Sequence, residues 1–486
     1  MPLKWISSSP APEAPKIILA APGSVSPRQR LTQVLAASSL LAASAQPLPE
    51  LLPRAPASGY VVINNLDSGA GSLRQAVQDS NNHPGSDTIS FAPQVSGTIT
   101  LTSSQLLITD SVQIMGPGPG KLSLSGNNAG RVFYLYTPPS NPFTITISGL
   151  TIRDGFGPQG GGAILDCGAN LVLDDMDIFS NTSSASKVSN GGGVYFRPLV
   201  FLPKIALTIR NSMITGNHAN NGGGIAVGLA GGGVDIENTQ IVSNTALFKG
   251  GGVYLYDPGQ TNIQNVTIAG NSAAEGGGLM VEHTLGGLYF VRGATIAGNT
   301  AAKGAGINIF NLDDPFTIEN STVSGNHATD VGGGIYLYHP GRYFYLFNST
   351  VADNTAGNAG GGLSAAQASP PIANSIVAGN LAPLNSDLTG TFQLRYDLVQ
   401  ITGSATISDL GGNLFGLDPL LGPLSDHGGP TETRFPAHNS PVIDAGDPAF
   451  AEPPSTDQRG SPRRVGRLDM GAVEAGTKVL LPLIRR

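Results

Sequence analysis

Three aspartates crowd the segment "LDDMD", at Asp174, Asp175 and Asp177. Two carboxyls held roughly 5 to 9 Å apart can act together as acid and base, or acid and nucleophile, on a glycosidic bond. A further acidic spot with a histidine, "DHGG" at Asp426, lies far along the chain from them. Asp175 also falls at a repeated turn position, six residues before Asn181, which gives it a plain backbone role. Charges concentrate in Asp444, Asp457, Arg459, Arg463, Arg464, Arg467 and Asp469. Arg–Asp pairing can order a segment lacking regular strands, and that reading outweighs a catalytic one. Cys167, the only cysteine, allows no intramolecular disulfide and reads as a small core residue. No His-x-His, cysteine pair or EF-hand spacing occurs, so no metal and no cofactor are expected.

What must position such residues is a repeat. "NVTIAGNSAAEGGG" at Asn265 returns as "NSMITGNHANNGGG" at Asn211, "NTQIVSNTALFKGGG" at Asn238 and "NSTVSGNHATDVGGG" at Asn320. The second asparagine of each unit is Asn181, Asn217, Asn244, Asn271, Asn299, Asn326, Asn354 and Asn380, at steps of 36, 27, 27, 28, 27, 28 and 26 residues. Between the asparagines apolar residues recur with period two, as in Ile214, Ile241, Ile268, Ile296, Val323 and Val351, which marks a strand. The glycines feed another strand, "VYLY", "LMVE", "INIF" or "IYLY", and a third precedes the first asparagine, as in "FTIE". Two or three strands in about 27 residues leave no room for a crossover helix. They fit one coil of an all-β parallel β-helix, a solenoid in which each strand pairs with its equivalent one coil away. Identical turn positions then stack about 4.8 Å apart. Side-chain amides at that spacing can form a hydrogen-bonded ladder, which makes the asparagines structural. Glycines supply the backbone a tight corner needs.

The same offset sorts the strand after the glycines. With Val253 and Leu255 inside, Tyr254 and Tyr256 point out. One external stripe runs Tyr195, Ala226, Tyr254, Met280, Asn308, Tyr336 and Ser364; the next runs Arg197, Gly228, Tyr256, Glu282, Phe310 and Tyr338. The corner beyond carries Asp257, His283, Asn311 and His339, with Asp313, Asp314 and Arg342 nearby. Aromatic rings beside hydrogen-bonding groups suit sugar rings or an extended peptide. Tyrosine also simply favours strands, so this face competes with a purely structural explanation.

Charged residues are 12% of the 486, about half the usual share, and net charge is −7 without a long basic run, which argues against nucleic acid. No stretch reaches the roughly 18 apolar residues of a membrane-spanning helix. Residues 28–45, "RQRLTQVLAASSLLAASA", have the order of a secretory signal ending in A-x-A before Gln46. The expected organisation is a leader over 1–45, a linker over 46–59, the β-helix over 60–425, a C-terminal cap over 426–475 and an apolar-basic tail over 476–486. Near Leu73, a short amphipathic helix capped by Ser72 would seal the first coil.

The units resemble the repeats of polymorphic outer-membrane proteins, whose signature pairs a Gly-Gly-apolar segment with Phe-x-x-Asn. "GGGI" and "GGGV" fit, while Ile or Val mostly replaces the Phe, as in "ITGN" from Ile214. The resemblance spans roughly residues 150 to 380. It implies a right-handed β-helix on a cell surface, often linked to adhesion. The barrel of that family needs several long alternating strands, which the 106 residues after Asn380 do not show. "GSLRQA" resembles the N-terminal segment of CSLREA-type bacterial proteins, and residues 438–474 resemble the choice-of-anchor Q domain. Pectin hydrolases of this fold carry Gly-His-Gly and Arg-Ile-Lys motifs, both absent here. These readings favour an exported, monomeric surface protein with a structural, adhesive or carbohydrate-binding role. Its partner would be a polysaccharide or a surface protein, and the balance is against an enzyme. A polysaccharide lyase or glycoside hydrolase is the alternative.

Overall fold

The computed structural model describes residues 57–138, 142–184, 190–198, 205–228, 232–283, 286–340, 344–450 and 454–476. The candidate leader 1–45, most of the linker, Arg342 and tail residues 477–486 lie outside the described residues. All the elements below belong to one compact unit, Arg54–Ala449 with Pro453–Arg486.

The solenoid is parallel throughout. One side is an 11-stranded sheet from Leu106–Ile108 to Leu388–Thr389. Its register follows the repeat: Val253 pairs with Ile225 on one coil and Leu279 on the next. A 25-stranded sheet carries two further sides and turns the corner between them within the long strands Thr144–Arg153 and Asn170–Phe179. That corner is where the first asparagine of each unit stands. Asp175, Asn211, Asn238, Asn265, Gly293, Asn320, Asn348 and Asn374 all have φ between 46° and 59°. This left-handed backbone is open mainly to Gly, Asn and Asp.

A short fourth side follows the second asparagine, in strands such as Thr245–Lys249, Thr300–Lys303 and His327–Val331. It was not foreseen as a strand. Its mark in the sequence is the alanine two residues after most of these asparagines, of which Ala219, Ala246, Ala301, Ala328 and Ala356 are buried. The chain then folds back through the glycine run. Gly250 adopts φ 63°, and a Cβ on Gly251 would meet the carbonyl oxygen of Gly277 at 2.4 Å.

Inside, aliphatic columns run the length of the solenoid in one continuous core. Tyr289, Phe316 and Phe344 form an aromatic column there, each ring centroid 6.2 Å from the next. The second asparagines also point inward and are buried. Each from Asn181 to Asn326 donates its Nδ2 to the Oδ1 of the asparagine one coil later at 2.8–3.1 Å. Asn354 continues the series to Asn380 at 2.9 Å, and Asn380 donates to Asp387 at 2.8 Å. The same amides donate to strand carbonyls, as Asn271 does to Ile241 at 2.9 Å, so the buried groups are satisfied.

Helix α1 (Leu73–Asn82) closes the first coil, with the Ser72 hydroxyl accepting from the Gln75 amide and Leu73, Ala76 and Val77 buried. The loop-rich C-terminal segment lies along a flank. Thr431 Oγ1 donates to the Gly293 carbonyl at 2.8 Å, Ala472 N donates to Thr350 Oγ1 at 3.1 Å, and Asp447 N donates to Asn374 Oδ1 at 2.7 Å. The segment thereby spans several coils of the outer face and buries Asn320, Asn348 and Asn374 beneath it. The equivalent Asn211 and Asn238 remain exposed.

Candidate binding face

Pairing brings the expected second stripe together in strict register: Gly228, Tyr256, Glu282, Phe310 and Tyr338 are successive partners. Three of its rings reach the surface, with Tyr256 37% exposed and Phe310 and Tyr338 half-buried. His283 stands edge-on between its neighbours, 5.7 Å from the Tyr256 ring and 6.4 Å from Phe310. Phe310 and Tyr338 lie flat on one another at 5.0 Å, with 10° between their planes. His339 meets Tyr338 edge-on at 4.4 Å. A column of rings stacked along the solenoid axis spends one face of Phe310 and of Tyr338 on each other. It therefore offers outward edges more than the open faces anticipated for sugar stacking.

The other stripe differs from expectation. Tyr254, predicted to be external, is only 8% exposed, and Tyr195, Ala226, Met280, Asn308 and Ser364 are buried as well. Tyr336 is half-buried. The cause is the glycine turn, which folds back so closely that a Cβ on Gly250 would stand 2.8 Å from the Tyr254 Cβ. Glu282 is also buried rather than presented to solvent. Lys249 Nζ donates to both its oxygens at 2.7 Å, and the Tyr254 hydroxyl donates to one of them at 2.8 Å. Burial and the Glu282 charge push the Tyr254 phenol far above its ordinary value. Lys249 was missed in the sequence, although "FKGGG" sets it directly before a glycine run.

The corner residues have a backbone reason for their identity. Asp257, His283, Asn311 and His339 have φ of 43°, 56°, 54° and 48°, a conformation that Asn, Asp and His tolerate better than most. Asp257 is buried, and burial raises its carboxyl against the opposing pull of His283.

The "LDDMD" aspartates do not converge on a groove. Asp174 accepts from Arg210 Nη2 at 3.0 Å and Asn211 Nδ2 at 2.9 Å. Burial raises its carboxyl, but those two donors outweigh burial and hold it below its ordinary value. Asp175 occupies the left-handed corner, and Asp177 pairs in register with Met213. Burial and the charge of Asp175 push Asp177 up. In the C-terminal segment, Asp457 accepts from Arg459 at 2.7 Å and from the Glu474 amide at 2.9 Å, a structural use of both groups. Arg463 is buried. Among the described residues no group of three His, Cys, Asp or Glu side chains could hold a metal ion. No described helix is long and apolar enough to cross a membrane.

Residues 136–386 match the family described as the right handed beta helix region. No curated protein matches the chain. Among solved structures, pectate lyase Pel9A is 15% identical over 86% of this chain and 96% of its own, with a TM-score of 0.41. The A-module of mannuronan C-5 epimerase AlgE4 from Azotobacter vinelandii is 15% identical over 66% of this chain and 99% of its own, at 0.30. The PL6 family alginate lyase AlyGC is 15% identical over 87% of this chain and 59% of its own, at 0.33.

Proposed function

The chain belongs to the right-handed β-helix family, and on that premise we propose that it is an exported or cell-surface polysaccharide-binding protein without catalysis. The ligand face in this reading is the column centred on Tyr256, Phe310 and Tyr338, with Tyr254, Asp257, Glu282, His283, Asn311, Tyr336 and His339 around it. The observation that carries it is the exposed aromatic ridge: ring edges and imidazoles line the successive coils from Tyr256 to Tyr338. An extended polymer laid along the axis would meet a ring or imidazole on each coil from Tyr256 to Tyr338. Apolar surface left outside a folded core usually marks an interaction site.

The state of Glu282 supports binding over catalysis. A general acid or base needs a carboxyl free to exchange a proton with substrate. Both oxygens of Glu282 are already held by Lys249, and one also by Tyr254. Its part is to anchor the strand beneath the ridge.

The test is a glycan array with neutral and acidic polysaccharides, probed with residues 46–486 and with the Tyr256→Ala/Tyr338→Ala double variant. Binding by the parent and its loss in a folded double variant are the expected results. Undiminished binding by the variant would remove the ridge from the site. Turnover of any arrayed polymer would replace the reading with an enzymatic one.

A further inference from the structure

The C-terminal segment encloses charge against the solenoid. Arg463 donates Nη2 to the Gly471 carbonyl, while its buried Nε and Nη1 reach no acceptor among the described residues. Four carboxyls surround it: Asp457, Asp469 and Glu474 from the same segment, and Glu319 from the flank. Two of them have cations of their own, since Arg459 holds Asp457 at 2.7 Å and Arg292 holds Glu319 at 3.3 Å. Asp469 and Glu474 are held by backbone amides alone. Asp444 N and Ala475 N donate to Asp469 at 2.6 and 2.7 Å. Asp469 N and Val465 N donate to Glu474 at 3.1 and 3.2 Å. The Asp444 charge adds to the repulsion on Asp469. Farther along the flank, Asp447 pairs with Arg395 and Asp353 with Arg434.

We propose that residues 454–476 are a pH-operated strap, seated on the flank in mild acid and loosened when Asp469 and Glu474 ionise together beside Arg463. Two neighbouring carboxylates shut away from water repel one another and lose hydration. Burial lifts Asp469 to about 6, and burial with the Asp469 charge lifts Glu474 to about 7. Both values lie above the unfolded ones near 4, so the grip is complete in acid and is lost as pH rises through 6 and 7. The strap can loosen without unwinding a coil, because it lends no strand to the solenoid sheets. Its grip consists of single contacts, such as Asn320 Nδ2 donating to the Thr456 carbonyl and Gly471 N to the Asn374 carbonyl, both at 2.7 Å. Met470 shares an apolar cluster with Ile376 and Leu398, which titrates with nothing and keeps the strap tethered. Loosening would uncover Asn320, Asn348, Thr322 and Thr350, extending to these coils the open polar face already present at Asn211 and Asn238.

Amide protection factors of the full chain, corrected for intrinsic exchange and followed from pH 5 to pH 8.5, test this. Protection across residues 455–476 should fall by about tenfold or more over that range. The solenoid strands, such as Val253–Tyr256, should keep theirs. Two variants should move the midpoint in opposite directions by roughly one pH unit, the scale on which one neighbouring charge shifts a carboxyl. Glu319→Gln removes a negative charge and moves it up; Arg463→Met removes the buried cation and moves it down. Should Arg463→Met fail to fold, Glu319→Gln still gives a signed result. Protection of the segment that ignores pH overturns the proposal, as does a midpoint that Glu319→Gln leaves in place. Loss of protection in strap and strands together would be global unfolding, and overturns it too.

Discussion

Asn271 and Asn299 are joined twice: the side-chain amide of Asn271 donates to Asn299 Oδ1 at 3.0 Å, and its backbone N–H donates to the same oxygen at 2.9 Å. Asn244 makes the same two bonds to Asn271, at 3.1 and 2.8 Å. Replacing Asn271 by Leu leaves the Asn244 backbone N–H and one of its two side-chain amide hydrogens buried without an acceptor, the other staying on the Ile214 carbonyl, at roughly 1–3 kcal/mol for each orphaned donor. Thermal unfolding of Asn271→Leu should therefore begin well below the parent. An unchanged Tm would deny the ladder any energetic role.

Buried carboxyls set the pH dependence. Burial pushes Asp387 up to about 6 and Asp166 up to about 7. In the C-terminal segment burial lifts Asp469 to about 6, and burial with the Asp469 charge lifts Glu474 to about 7. A raised acid stabilises the fold while neutral. Its contribution is complete below the unfolded value near 4 and is lost as pH rises through 6 and 7. Asp67 runs the other way: burial raises it, but hydrogen bonds from Ser103 and Arg74 prevail and hold it at about 2. Its share is present above about 4 and disappears as pH falls through 2. Tm should thus be higher at pH 5 than at pH 8, and should fall again towards pH 2. Asp166→Asn keeps an acceptor for Gly168 N and Ala169 N, both 2.8 Å from Oδ1, and should flatten the slope between pH 5 and 8. A variant with the parental slope would place the titration elsewhere.

Gln458 binds the C-terminal segment to the flank. Its Nε2 donates to Thr295 Oγ1 at 3.0 Å and to the Ala294 carbonyl at 3.2 Å, and its Oε1 accepts from Thr322 Oγ1 at 2.6 Å. Gln458→Ala should speed limited proteolysis within residues 454–476 while the solenoid's far-UV circular dichroism stays intact. Cleavage at the parental rate would mean that the remaining contacts hold the segment unaided.

The coil was legible in the sequence because every copy repeats the same demands. Ile214, Ile241 and Ile268 declare a strand three times over, and Asn217, Asn244 and Asn271 declare its corner. The flank was not legible. Thr431 and Gln458 read as ordinary polar residues, and only the coordinates bring them against Gly293 and Thr322, more than 130 positions away. On the candidate face, alternation correctly gave which side chains leave the core. It could not show that a glycine turn would cover Tyr254, or that Lys249 would claim Glu282, since both depend on how neighbouring loops fold over the strand.

The ladder also has a sense of travel. In each link the earlier coil donates and the later coil accepts, from Asn181 towards Asn380. A freshly laid coil thus carries two hydrogens seeking an oxygen that has not yet arrived, and only the next unit brings it. Asp387 ends the series because a carboxylate takes hydrogens from Asn380 and passes none onward, its other oxygen receiving the Ile401 amide at 2.6 Å. The ladder is therefore polar from end to end, open to donation at Asn181 and closed at Asp387, so each asparagine depends on the unit after it for its acceptor.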